Sequence, residues 1–155
     1  GFFRLMPDGL VRLRYGYVVK CTGFEKDATG KVAVVHCEYL PDTKSGTPGA
    51  DSIKVKGNIH WVSVSDSLEV EVRLYDRLFT DANPDAGGKD FLASLNPSSL
   101  KVIEAYVEPS LANSKPDDKF QFERHGYFVA DRRDHAEGKP VFNKITGLKD
   151  GNWAK

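Results

Sequence analysis

The chain has 155 residues, with 22 basic and 22 acidic side chains and a formal net charge of zero. Its length fits one ordinary domain or two very small ones, and its balanced charge excludes a wholly basic RNA-coating protein. No apolar run approaches the roughly 18–20 residues that cross a bilayer, and no basic-then-apolar N-terminus precedes the first elements. We therefore predict a cytoplasmic protein that makes no membrane contact.

The charges are unevenly distributed along the chain. Residues 1–20 carry four basic side chains against one acid, residues 80–118 carry three against seven, and residues 119–155 carry eight against five. Two basic ends that meet in space would form a modest phosphate-facing surface. Ordinary variation of a protein surface produces swings of the same size, so charge alone leaves both interpretations open.

The first elements in chain order follow a period of two, which indicates β-strands. We predict one continuous strand over residues 11–21 and its return strand over residues 31–39, joined by turn residues 27–30. Cys21 and Cys37 lie at equal distances from Thr29, so the hairpin would place them opposite each other. A disulfide fits that spacing, but without a secretory signal we favour buried thiols in a reducing cytosol. The scattered histidines and unpaired cysteine spacing predict no metal site.

The remaining elements are also short, and none has the 3.6-residue period of a long helix. Residues 89–95 have the composition of one or two helical turns, and residues 80–88 form a loop rich in Asp, Asn, Pro and Gly. The other predicted strands cover residues 53–63, 70–74, 100–107, 119–123, 127–130 and 140–145. This pattern is typical of an all-β barrel or sandwich.

Two groups of polar residues stand out against the apolar alternation. Arg12 and Arg14 lie on the polar side of the first strand, where forked guanidinium donors suit phosphates or base edges. Gln121 and Glu123 share the displayed side of a later strand, and Arg124 follows at its break before His125-Gly126. From the residues alone, solvated arginines on an exposed face and a strand-end salt bridge are the commoner explanations of these two patterns.

Longer motifs favour a functional interpretation of these polar residues. The stretches Lys-Gly-Asn-Ile-His-Trp-Val-Ser (56–63), Arg-Leu-Tyr-Asp-Arg-Leu-Phe (73–79), Phe-Gln-Phe-Glu-Arg (120–124), Lys-Pro-Val-Phe-Asn (139–143) and Trp-Ala-Lys (153–155) occur in this order. Together they resemble the C-terminal anticodon-binding domain of bacterial-type glutaminyl-tRNA synthetases over nearly the whole chain.

The resemblance implies an all-β fold of two small linked β-barrels, like that of the ribosomal L25 family, with one or two short helical turns. We place the boundary in the loop near residues 80–88. Residues 1–84 would form the first, distal barrel. Residues 85–155 would contribute strands of the second, proximal barrel, which we expect to be incomplete without upstream residues.

The same resemblance implies roles for individual residues. Arg12 would contact the first anticodon base, and Arg4 would donate two hydrogen bonds to the third base, a guanine. Gln121 and Arg124 belong to the pocket for the middle base, a uridine, with Glu123 orienting Arg124. Arg14 is a possible phosphate contact. Two departures bear on these roles, since Phe3 replaces a lysine found in some members, and an arginine of the middle-base pocket precedes Gly1.

Aromatic side chains offer a further means of holding unstacked bases. Trp61, Tyr75, Tyr106 and Tyr127 have ring faces suited to stacking on them. The position of Trp61 within the alternating pattern favours core packing for that residue.

The function implied is recognition of the anticodon loop of glutamine tRNA, by a monomer that needs no cofactor of its own. No phosphate-binding loop, nucleophile elbow or nucleotide-binding signature of class I synthetases is present, so we predict no catalytic site in this chain. The full-length enzyme would attach glutamine to tRNA using ATP with magnesium, through an N-terminal catalytic domain. The alternatives are the anticodon-binding domain of a related glutamyl-tRNA synthetase, an L25-like structural RNA-binding protein, and a domain kept for protein contacts.

Overall fold

The chain forms two compact units, one extending to Trp61 and one beginning at Val62, in a computed structural model that describes residues 5–148. The division lies before the predicted boundary at residues 84 and 85. The strand over residues 68–75 accounts for the difference, because its pairing partners all belong to the second unit. Arg4 and the Trp-Ala-Lys motif lie outside the described residues.

The first unit is a four-stranded sheet. Its strands are β1 (Leu10–Leu13), β2 (Val18–Lys26), β3 (Val32–Tyr39) and β4 (Gly57–Ile59), in the order β3-β2-β1-β4. The β2–β3 hairpin agrees with the predicted return strand, and β1 also pairs in parallel with β4. The predicted continuous strand over residues 11–21 is wrong, because a tight turn separates β1 from β2.

Apolar and polar residues keep alternating through that turn, which is why the sequence pattern predicted a single continuous strand. The Gly16 N–H donates to the Leu13 carbonyl at 2.8 Å, and the Leu13 N–H donates to the Tyr17 carbonyl at 2.8 Å. The backbone reverses through Tyr15, whose φ of 59° is in the left-handed region. The turn occupies residues 14–17, an even number, so the apolar positions before and after it stay in phase.

The second unit is a five-stranded sheet. Its strands are β5 (Leu68–Tyr75), β6 (Leu100–Val107), β7 (Lys119–Phe122), β8 (Gly126–Ala130) and β9 (Val141–Thr146). They lie in the order β6-β5-β9-β8-β7, with a parallel β5–β9 pair and antiparallel neighbours elsewhere.

The all-β prediction is confirmed. The helical segments of the described chain are short 3₁₀ turns at Pro41–Thr43, Ala86–Gly88, Phe91–Ser94 and Pro109–Asn113. The third lies within the segment where helical turns were predicted. Among residues 5–148 the ladders form two open sheets, and no pairing joins the outermost strands into a closed barrel. No helix in the same residues is long and apolar enough to span a membrane.

Phenylalanines dominate the core of the second unit. Phe142 is fully buried and Phe128 is 3% exposed. The Phe122 ring lies 4.6 Å from that of Phe128 and 5.4 Å from that of Phe142, and the Phe120 ring lies 5.7 Å from that of Phe142. These contacts anchor β7 against the sheet, which leaves the alternate side chains of β7 facing outward.

Arg73 on β5 is the centre of a network of ion pairs and hydrogen bonds in the second unit. Its guanidinium lies 2.7 Å from carboxylate oxygens of Glu71 and Asp134, and 3.5 Å from Asp131. Asp131 also accepts a 2.6 Å hydrogen bond from the Asn143 side chain and two from backbone N–H groups. These bonds, led by that from Asn143, lower the pKa of Asp131 to about 2. The carboxylates of Asp134 and Glu71 raise the pKa of Arg73.

Because of this network, we expect the free energy of unfolding of the second unit to fall as the solution becomes acidic. The lowered pKa of Asp131 means that the folded state favours the ionised carboxylate. The contribution of Asp131 to the stability of the fold is therefore complete above the usual pKa of 3.8 and is lost as pH falls towards about 2. We expect Asp131→Asn to lower the free energy of unfolding by about 2 kcal/mol at pH 7 and by almost nothing near pH 2. Urea denaturation of both proteins across this range measures the difference, and a difference independent of pH would contradict the assignment.

Candidate nucleic-acid interface

Arg12 holds a loop of the first unit in place. Its Nη1 atom donates to the Gly16 carbonyl at 3.2 Å and the Thr43 carbonyl at 2.6 Å, and lies 3.4 Å from the Ser45 hydroxyl. Its Nη2 atom donates to the Ala50 carbonyl. The side chain is half-buried. The sequence placed Arg12 on an open polar face, but residues 43–50 fold back over that face and provide oxygen acceptors for its guanidinium.

Arg14 lies at the turn that follows β1, beside an exposed aromatic ring. The Arg14 guanidinium carbon is 5.0 Å from the centre of the Tyr15 ring, and its Nη2 lies 3.2 Å from the Tyr15 hydroxyl. Two hydrogen bonds fix the Arg14 backbone, because its N–H donates to the Ile59 carbonyl and its carbonyl accepts from the Trp61 indole. The turn thus presents a cation and an aromatic ring from a fixed backbone.

Gln121 and its neighbours form the second group of predicted site residues. Gln121 is exposed on β7, while Phe120 and Phe122 on either side of it turn into the core. The predicted alternation is therefore confirmed. The core contacts of the two phenylalanines fix the direction in which Gln121 is displayed.

Arg124 is displayed at the tip of the β7–β8 hairpin. The His125 N–H donates to the Phe122 carbonyl at 2.9 Å, so Arg124 occupies the third position of a four-residue turn. Its φ is 66°, a left-handed value that favours glycine or asparagine at this position. A long cationic side chain in that conformation marks the hairpin tip as a candidate functional feature. Glu123 is half-buried beside it.

The predicted site residues fall into two groups, one in each unit. Arg12 lies on β1 of the first unit, and Arg14 lies in the turn that follows it. Gln121, Glu123 and Arg124 belong to the β7–β8 hairpin of the second. In each group the side chains are carried by a strand end and the turn that follows it.

Two aromatic side chains beside Arg14 are more exposed than the sequence pattern suggested. Tyr15 is 77% exposed, although its place in the alternation suggested a core position. Trp61, predicted to pack in the core, is 46% exposed and binds the Arg14 carbonyl. The signal available for Tyr15 was Gly16, a turn-forming residue next to it within an apolar run.

Tyr75, Tyr106 and Tyr127 of the second unit are each about half exposed. Their rings are therefore accessible. No group of three or more His, Cys, Asp and Glu side chains able to hold a metal ion occurs among residues 5–148.

Two family models match this chain, and both describe an anticodon-binding domain of the class I tRNA synthetases (E and Q). One matches residues 2–40 and the other residues 58–131. The first match covers strands β1 to β3, and the second begins close to the division between the two units. The segment between them contains the loop held by Arg12.

Curated relatives match along the entire chain. It is 68% identical to the glutamine–tRNA ligase of Cupriavidus metallidurans, 66% identical to that of Ralstonia nicotianae and 57% identical to that of Nitrosomonas europaea. Each alignment covers all of this chain but only 26%, 27% and 28% of the respective relative. The chain therefore spans about a quarter of the length of these proteins.

Proposed function

Because the chain belongs to the anticodon-binding domain family of the class I tRNA synthetases for glutamate and glutamine, we propose that it reads the anticodon of glutamine tRNA. The observation that carries the proposal is the β7–β8 hairpin. The family motif Phe-Gln-Phe-Glu-Arg there anchors two phenylalanines in the core and displays Gln121 and Arg124. Identity to glutamine–tRNA ligases over all 155 residues supports glutamine as the amino acid concerned.

Gln121 and Arg124 recognise the middle base of the anticodon. A glutamine amide offers one acceptor and two donors, which matches the alternating donor and acceptor edge of uracil. The Arg124 guanidinium holds the base or its phosphate, and Glu123 orients Arg124. Because β7 is fixed by its aromatic contacts, little backbone ordering is left to occur on binding.

The β1–β2 turn recognises the neighbouring nucleotides. Arg14 supplies a phosphate contact, and the exposed Tyr15 ring beside it suits stacking on an unpaired base. Arg12 contributes at the first base, both directly and by holding the loop over residues 43–50. Arg4 reads the third base, a guanine, through its forked donors.

The experiment pairs protein variants with RNA variants. The probe is an anticodon stem-loop of glutamine tRNA carrying either the natural middle uridine or a cytidine. The unaltered chain is expected to bind the cytidine form at least about fivefold more weakly, which corresponds to about 1 kcal/mol, the lower end of the discrimination given by specific base contacts. Gln121→Ala should bind both RNAs with similar, reduced affinity, which fluorescence anisotropy measures.

A control variant separates base reading by Gln121 from a general weakening of RNA binding. Lys101 is exposed on β6, at the opposite edge of the same sheet. Lys101→Ala removes a positive charge from the same unit and should keep the full preference for uridine. Loss of the preference in this control, or its retention in Gln121→Ala, would contradict the assigned role of Gln121.

The longer protein attaches glutamine to its tRNA with ATP and magnesium, in the cytoplasm, through a catalytic domain that this chain does not contain. The described residues do not fit ATP–magnesium, since no cluster of metal-binding side chains is present among residues 5–148 and the sequence has no phosphate-binding loop. We therefore assign binding alone to this chain. It acts as a monomer that receives the anticodon loop.

A further inference from the structure

Two thiols lie directly opposite each other in the first unit. Cys21 on β2 and Cys37 on β3 are partners in the antiparallel ladder, so both side chains project from the same face of the hairpin. Both are reduced in the structure. The sequence predicted this juxtaposition but also predicted that both thiols are buried. Cys21 is buried, whereas Cys37 lies exposed on a strand at the edge of the sheet.

The pairing is of the closer of the two antiparallel types. The Cys21 N–H donates to the Gly9 carbonyl at 3.0 Å, and the Cys21 carbonyl accepts from the Asp8 N–H at 3.0 Å. Both groups therefore point away from β3, so Cys21 and Cys37 exchange no backbone hydrogen bond. In such non-hydrogen-bonded pairs the Cα atoms are about 4.5 Å apart, within the roughly 4.4–6.8 Å that a disulfide spans.

The ladder is already interrupted beside this pair. The register shifts between Cys21 and Gly23, where one extra residue of β2 forms a bulge. The Cys21 thiol lies 3.6 Å from the Gly23 carbonyl, a weak contact that its sulfur can give up. A small movement of the edge strand at Cys37 therefore breaks few hydrogen bonds.

We propose that Cys21 and Cys37 form a reversible cross-strand disulfide when the protein meets a peroxide. The exposed Cys37 thiolate attacks hydrogen peroxide first, giving a sulfenic acid and hydroxide. Cys21 then loses its proton and attacks the sulfenic sulfur, which forms the S–S bond and releases hydroxide. With the two thiol protons the products are one disulfide and two water molecules, a two-electron oxidation of the protein balanced by reduction of the peroxide.

The environment of Cys37 makes this a slow reaction. Loss of part of its hydration to neighbouring atoms, together with the nearby Cys21, raises the pKa of the Cys37 thiol. The thiolate that reacts with peroxide is thus scarce near neutral pH. The pair stays reduced under ordinary cytosolic conditions and responds to sustained oxidant.

Mass spectrometry tests the proposal on the whole chain. After peroxide treatment and denaturation, we expect a monomer lighter by the mass of two hydrogen atoms, a cross-linked Cys21–Cys37 peptide, and recovery of both thiols with dithiothreitol. The bond closes the β2–β3 hairpin, so the oxidised protein should melt several degrees higher than the reduced one.

Cys37→Ser provides the control, because the position is exposed and the substitution should leave the fold intact. In that variant the mass loss must disappear. Addition of oxygen atoms without a cross-link in the unaltered chain, or disulfide-linked dimers alone, would overturn the proposal. These readouts do not involve RNA, so their outcome is independent of the proposed anticodon recognition.

Discussion

Arg12→Ala is expected to destabilise the first unit by about 2–4 kcal/mol, because it removes a charged donor from several oxygen acceptors at once. The carbonyls of Thr43 and Ala50 lose this guanidinium partner. Thr43 is itself 2% exposed, and its hydroxyl accepts from the Val18 N–H at 2.9 Å. Release of this loop therefore also disturbs the start of β2. Denaturant unfolding, with hydrogen exchange at residues 40–52, measures both effects.

Arg12→Lys is the matched control for charge. Lysine keeps the positive charge but presents it at one point, so it cannot reach acceptors on separate parts of the loop in the way that the guanidinium does. We expect most of the destabilisation to persist in this variant. RNA binding should fall most for RNAs that carry the cognate first anticodon base, and less for other anticodon sequences, to the extent that the loop is released. A stable Arg12→Ala protein with an unchanged loop would show that these hydrogen bonds contribute little.

Gly126→Ala is expected to destabilise the second unit by about 3 kcal/mol or more. The φ of Gly126 is 137°, which side-chain-bearing residues rarely adopt. A Cβ atom there would lie 2.2 Å from the Thr146 carbonyl oxygen, so β8 and β9 would have to separate at that point. Phe128 and Phe142, which these strands carry into the core, would lose packing. Thermal and urea unfolding measure the change.

Gly138→Ala separates the conformational cost of a positive φ from the steric clash with the Thr146 carbonyl oxygen. Gly138 has a φ of 75°, and a Cβ atom built on it would have no neighbour within 4 Å. It therefore reports the conformational cost alone, about 1 kcal/mol. If Gly126→Ala costs no more than Gly138→Ala, the close approach to Thr146 is not the cause. The Gly126 variant should also lose the preference for the middle uridine, since the hairpin that displays Arg124 is distorted.

Local alternation was sufficient to predict the strands of the second unit. Residues 100–107 form β6 as predicted, and Phe120, Gln121 and Phe122 face the expected sides. Each of these strands is long enough to reveal its period, and the buried phenylalanines define its inner face. The orientation of Gln121 could be derived for that reason.

Features that depend on distant parts of the chain could not be predicted in this way. The predicted strand over residues 53–63 shortens to β4, because β1, with which it pairs, ends at Leu13. The environment of Arg12 depends on acceptors more than 30 residues away in sequence. The division between the units depends on the parallel pairing of β5 with β9, and turn residues in the sequence do not predict a pairing between such distant strands.

The central claim is that this chain distinguishes anticodons. The most direct test compares its affinity for glutamine tRNA with that for the same tRNA carrying a different anticodon loop, at one salt concentration. We predict that replacing the loop weakens binding by at least about tenfold, the equivalent of roughly 1.4 kcal/mol or more. Equal affinities for the two RNAs would contradict the account.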